Sequence, residues 1–139
     1  MTAVGVWFYS LSTNRYLYLL RSQSYENTWG LPGGKIKSSE PLLTALSREC
    51  IEEMGFWPNV IKLSPIEKFT SNDNKFEYHT FFALVDQEFV PVLNSEHYGY
   101  AWINSGVFPK PMHPGLWSTV NFESVQSKIE TAKQSYTSQ

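Results

Sequence analysis

The sequence predicts a mixed β-sheet with helices packed on it, an α/β fold of the α+β type. Three observations carry this. Aromatic and β-branched segments of strand length lie on both sides of an early helical segment. A second amphipathic segment comes late in the sequence. No repeat, low-complexity tract or linker divides the chain, whose 139 residues, 42% hydrophobic and 17% charged, fit one compact domain over 1–139.

In order, "AVGVWFYS" (Ala3–Ser10) and "RYLYLLR" (Arg15–Arg21) read as strands joined by a polar "LSTN" hairpin turn. "SQSYENT" reads as a surface loop ahead of Trp29. A helix starts at Pro41, a residue suited to a first helical turn, with Ser39 or Glu40 available as its cap. Leu43, Leu46, Cys50 and Met54 form its apolar stripe, and Gly55 ends it. "VIKLSPIEKFT" and "KFEYHTFFALV" flank "SNDN" as a second hairpin. "YAWI" (Tyr100–Ile103) is a short strand, followed by a Pro/Gly-rich loop through "FPKPMHPG". From Thr119 to about Ala132, the recurrence of Phe122, Val125, Ile129 and Ala132 marks the second helix.

A net charge of −2 argues against an extended footprint for duplex nucleic acid, while a small nucleotide needs only a local site. Cys50 is the one cysteine, so no internal disulfide can form, which fits a reducing compartment. The start lacks the basic region of a signal peptide, and no apolar run reaches about 18 residues. The expectation is a soluble cytoplasmic protein with no membrane partner; a homodimer is left open.

"WGLPGGKIKSSE" (Trp29–Glu40) looks at first like a phosphate-cradling loop. A P-loop requires four residues between its glycines and a hydroxyl after the lysine. Here Gly30 and Gly34 have three residues between them, and Ile36 follows Lys35. The loop leads instead into "RECIEE" (Arg48–Glu53), which places Glu49, Glu52 and Glu53 at i, i+3 and i+4 on one helical face. Like charges at that spacing repel. Taken alone, such a run is more often a solvated acidic face. Hard oxygen ligands brought together this way also suit Mg²⁺ or Mn²⁺.

From Gly34 to Phe56 the chain follows G-x5-E-x7-R-E-U-x-E-E-x-G-U without a departure, U being bulky and apolar. That pattern is the Nudix box. Average residue usage makes agreement at all its fixed positions by chance negligible. The chain therefore resembles the Nudix hydrolase family, and "WGLPGG" and "E-x5-W" (Glu96 to Trp102) extend the likeness more loosely. The resemblance implies an α/β/α sandwich with a mixed β-sheet, the box forming loop–helix–loop. It also implies cleavage of a nucleoside diphosphate linked to another moiety, with Mg²⁺ (or Mn²⁺) as cofactor.

On that basis the metal set comprises the Gly34 carbonyl, Glu49 and Glu53, with Glu52 a ligand or the group that orients them. Arg48 is expected to fix a glutamate carboxylate rather than touch substrate, and Glu40 to cap the helix or form a salt bridge. Family members often bring an acidic residue from a loop opposite the box helix, as general base or extra ligand, and Glu96 matches that loop. The catalytic set is thus Glu53, Glu52, Glu96 and Arg48. For substrate, Arg21 is placed to reach a phosphate, and Trp29 and Tyr78, with Trp7, Phe76 and Tyr98, offer stacking surface. His79 reads as a satisfied core or strand-face histidine, and His97 and His113 as more exposed loop residues.

The partner is a small nucleotide: a nucleotide sugar such as ADP-ribose, a dinucleotide or a modified nucleoside triphosphate. "FTSNDNKF" holds neither the proline nor the tyrosine that marks two of those classes downstream of the box. A Nudix-fold module that binds a nucleotide as a sensor, without turnover, is the alternative.

Overall fold

The computed structural model describes residues 1–22, 27–114, 116 and 123–137. The strands are β1 (Thr2–Ser10), β2 (Arg15–Arg21), β3 (Trp29–Gly30), β4 (Gly33–Lys35), β5 (Val60–Thr70), β6 (Glu77–Val85) and β7 (His97–Asn104); the helices are α1 (Leu42–Met54) and α2 (Glu123–Thr137). One 7-stranded mixed sheet runs β3-β2-β1-β6-β5, with β4 paired to β1 and β7 to β2. The β1–β6 pair is parallel; the others are antiparallel.

β1 is the spine. All of Ala3–Ser10 is buried, which is why "AVGVWFYS" reads as a nearly continuous apolar run rather than an alternation. Its side chains divide between two cores. Val4, Val6 and Phe8 pack with Leu17 and Leu19 against Ala45, Leu46, Cys50 and Met54 of α1. Trp7 and Tyr9 pack with Tyr16, Tyr18 and Phe82 against Val125, Ile129 and Ala132 of α2. The helices thus cover opposite faces, the predicted α/β/α sandwich. Lys133 also binds its face through charge, with Nζ 4.1 Å from the Tyr9 ring centroid.

Several local expectations are corrected. Leu43 is 54% exposed, and Ala45 lies in the core stripe instead, because the helix turns its 45–46–50–54 edge onto the sheet. Neither Ser39 nor Glu40 caps α1: the N-cap is Pro41, with no side-chain bond. Glu40 instead accepts hydrogen bonds from Arg48 and from the Lys37 N–H, and Ser39 sits at φ 64 in the turn. Gly55, at φ 84, stops the helix, its N–H donating to the Ile51 carbonyl. "WGLPGG" is not wholly a loop but carries β3 and β4. β7 begins three residues before "YAWI". Pro65 is accommodated in β5 by a register shift at Pro65/Glu67. The expected start of the last helix, including Phe122, lies outside the described residues, as does much of "SQSYENT".

Candidate active site

The β4–α1 connection is shaped by glycines with specific tasks. Gly33 has φ 149, and a Cβ there would run into the Val4 carbonyl oxygen. Only glycine lets β4 lie this close to β1. At Gly34 a Cβ would come within 2.5 Å of the Glu49 carboxylate. The loop backbone is therefore pressed against the first acidic residue of α1.

Arg48 ties this loop to the helix. Its Nε and Nη2 donate to the two Glu40 oxygens at 2.8 and 2.9 Å, a bidentate fork. Nη2 also donates to the Lys35 carbonyl at 3.0 Å, and Nη1 to Glu49 at 2.9 Å and Glu52 at 3.3 Å. The Arg48 fork, with the Lys37 N–H, holds the Glu40 carboxyl down to about 2. Burial raises the Glu49 carboxyl, Arg48 partly opposes this, and the charges of Glu52 and Glu96 add to the rise. Glu52 reaches solvent, its side chain 51% exposed.

Glu53, one turn beyond Glu49, is 4% exposed. Its Oε2 accepts the Gly33 N–H at 3.0 Å. Burial pushes its carboxyl up to about 8; the Gly33 N–H and Arg21 oppose the rise, while Glu49 and Glu96 reinforce it. Folding brings Glu96 here from the end of the 86–96 connection: single ligand atoms of Glu53, Glu96 and His97 all lie within 4.8 Å of one another.

The predicted residues therefore divide. Glu49, Glu53 and Glu96 converge with Gly34, and Arg48 holds Glu49 and Glu52 from the side. Arg21 stands next to His97 in the β2–β7 register and acts electrostatically on Glu53, His97 and Tyr78. Tyr78 places its hydroxyl where a Gly5 Cβ would be, and burial, then Glu53, pushes that hydroxyl up to about 12. Trp29 is half-buried against the α2-side core, its backbone clamped by bonds to Pro111 and His113. Trp7 is 1% exposed and is core rather than a stacking surface.

His97 is a correction and a residue that sequence reasoning missed. It opens β7 instead of lying exposed in a loop. Burial, then Arg21, depresses its imidazole to about 4, and its Nδ1 is buried without a hydrogen-bond partner in the described structure. The cause is a bulge: Leu20 pairs with Gly99 but Arg21 with His97, so Tyr98 is the extra residue. The bulge turns His97 and Arg21 to the α1 face together. The sequence carries no signal for it, because β7 reads as a strand only from Tyr100.

These groups fit a divalent cation. The donors are carboxylates and a neutral imidazole, one buried nitrogen lacks a partner, and the carboxylates raise one another's proton affinity, a cost a bound cation would reverse. A helix covers each face of the mixed sheet, and a glycine-lined loop and an acidic helix meet at one carboxylate cluster that could hold a cation.

The chain belongs to the Nudix family: the NUDIX domain matches residues 1–121. It is similar to a Nudix hydrolase from M. smegmatis (TM-score 0.68, 21% identity, covering 96% of this chain and 84% of that one). It is also similar to a MutT NUDIX hydrolase from Burkholderia pseudomallei (TM-score 0.61, 21% identity, covering 91% and 97%). A curated relative, 8-oxo-dGTP diphosphatase of Buchnera aphidicola, is 40% identical over 45 residues, or 32% of this chain and 36% of that protein. The match thus spans about a third of that relative's length.

Proposed function

We propose that the protein is a divalent-metal-dependent hydrolase that cleaves the pyrophosphate bond of a nucleoside diphosphate linked to another moiety. The observation that carries this reading is the convergence of Glu53 and Glu96, forty-three positions apart, within 4.8 Å beside the complete box. The similarity to 8-oxo-dGTP diphosphatase supports placing a modified nucleoside triphosphate first among the substrates. Nucleotide sugars such as ADP-ribose and dinucleotides follow.

Glu49, Glu53 and the Gly34 carbonyl would hold the ion, Mg²⁺ or Mn²⁺, with Glu52 at the solvent edge. When bound, such an ion neutralises phosphate charge and acidifies water. Arg48 acts without touching substrate, keeping Glu49 and Glu52 aimed. Glu96, the exposed member of the group with Glu53 and His97, would take the proton from an attacking water. Arg21 would meet a phosphate oxygen and Tyr78 would border the nucleoside, whereas Trp29 packs on the α2-side core. No described helix is long and apolar enough to cross a membrane; a soluble cytoplasmic protein with a small-molecule nucleotide partner is part of the proposal.

The test is a panel of nucleoside triphosphates, nucleotide sugars and dinucleotides with Mg²⁺ or Mn²⁺, reading phosphate after phosphatase coupling. Turnover of one class supports the hydrolase. Saturable binding of a nucleotide with no turnover of any would establish the sensor reading instead.

A further inference from the structure

We propose that His97 is a nitrogen ligand which, with Glu53, gives the cation site a preference for a transition ion such as Mn²⁺ over Mg²⁺. The inference rests on the metal-dependent reading above and goes beyond it to the identity of the ion.

The β7 bulge places His97 opposite Arg21 on the α1 face. A ring nitrogen and one oxygen each of Glu53 and Glu96 lie within 4.8 Å of one another. Two ligands facing each other across an octahedral ion are about 4 to 4.5 Å apart, so the group can close on an ion through side-chain rotation. His97 Nδ1 is buried with no partner among the described residues. Leaving such an atom unpaired is costly unless something binds there. Glu53, directed by the Gly33 N–H, is the buried carboxylate beside it. Glu96 stands at the open edge, where it keeps its role toward water. Mg²⁺ prefers oxygen donors and retains water, whereas affinity for a nitrogen donor rises along the first-row ions from Mn²⁺, the weakest of them, so an imidazole ligand shifts the balance away from Mg²⁺.

The test uses metal alone, without nucleotide. Pulsed EPR of Mn²⁺ bound to the full chain should show nitrogen coupling that disappears in His97→Gln. Mn²⁺ affinity should fall about tenfold or more in that variant, with Mg²⁺ affinity, measured by competition, changed less than about twofold. Bound Mn²⁺ without nitrogen coupling in the unaltered protein would overturn the proposal, even if the variant failed to fold. So would coupling that survives in His97→Gln, or equal losses for both ions. Because turnover plays no part in these readings, hydrolysis of a nucleotide with no nitrogen coupling would leave the hydrolase standing and remove only His97. Nitrogen coupling in a protein that hydrolyses nothing would do the reverse.

Discussion

The two halves of the carboxylate site lie one helical turn apart and are built on opposite electrostatic plans. In the outer half, Glu40, Glu49 and Glu52 share one guanidinium. That one cation offsets part of the charge of three carboxylates, and Glu52 opens to water. In the inner half, Glu53 is buried with a backbone N–H and sits beside Glu96 and His97. Burial and its acidic neighbours raise its carboxyl, with only partial relief from the Gly33 N–H and Arg21. The outer half fixes the loop and helix relative to each other, and it would be stable with no ligand. Under the proposed function, a cation would complete the inner half.

Glu96→Gln should have the largest effect. Removing the base should lower kcat by about 10²–10⁴ with little change in KM or in metal affinity. If KM rises while kcat holds, Glu96 contacts substrate instead and the inner half contains no base.

Glu53→Gln should lower kcat by about 10² or more. In the metal-free protein it should be neutral or stabilising near neutral pH, because the amide can still accept the Gly33 N–H without the cost of taking up a proton on folding. Glu49→Gln should also cost activity but give a smaller gain, since Arg48 offsets part of the cost of burying its carboxylate. A metal-free Glu53→Gln protein less stable than the parent would erase the contrast.

Arg48→Lys should have the smallest of these effects. An ammonium cannot reproduce the fork onto Glu40 while also reaching Glu49 and the Lys35 carbonyl. A kcat loss of about tenfold is expected, with a smaller loss of Mn²⁺ affinity, since Glu49 is held less firmly while Glu53 is untouched. Full activity in this variant would show that the outer half needs charge alone and not geometry.

The sequence disclosed these halves unequally. The box spacing names Glu49, Glu52, Glu53, Arg48 and Glu40, since all are local to one loop and helix. β1, β2, β5 and β6 are legible because long aromatic and β-branched runs have few alternatives. β3 and β4 are not: Gly30, Gly33 and Gly34 have low strand propensity, and the pairing of Gly33 depends on the room its missing side chain leaves beside β1. Leu43 misled because helical spacing defines a stripe only to within one residue, and the sheet chose Ala45. Glu96 could be suspected by resemblance, but its meeting with Glu53 is a tertiary fact. His97 could not be suspected at all, for it reaches the site through a bulge in a pairing between strands far apart in the chain.

The most direct test is the melting temperature of metal-free protein across about pH 5 to 9, by calorimetry, with and without millimolar Mn²⁺. Glu53 holds its proton more tightly folded, at about 8, than unfolded, at 4.5. Between those values Glu53 binds more protons folded than unfolded, so its contribution to stability falls as pH rises, while His97, depressed from 6.5 to about 4, works against this only below about its ordinary value. The account predicts that the metal-free melting temperature declines toward pH 8, that Mn²⁺ restores it by an amount growing with pH, and that Glu53→Gln removes this contribution to both trends. A metal-free melting temperature flat across that range, unmoved by Mn²⁺, would contradict it.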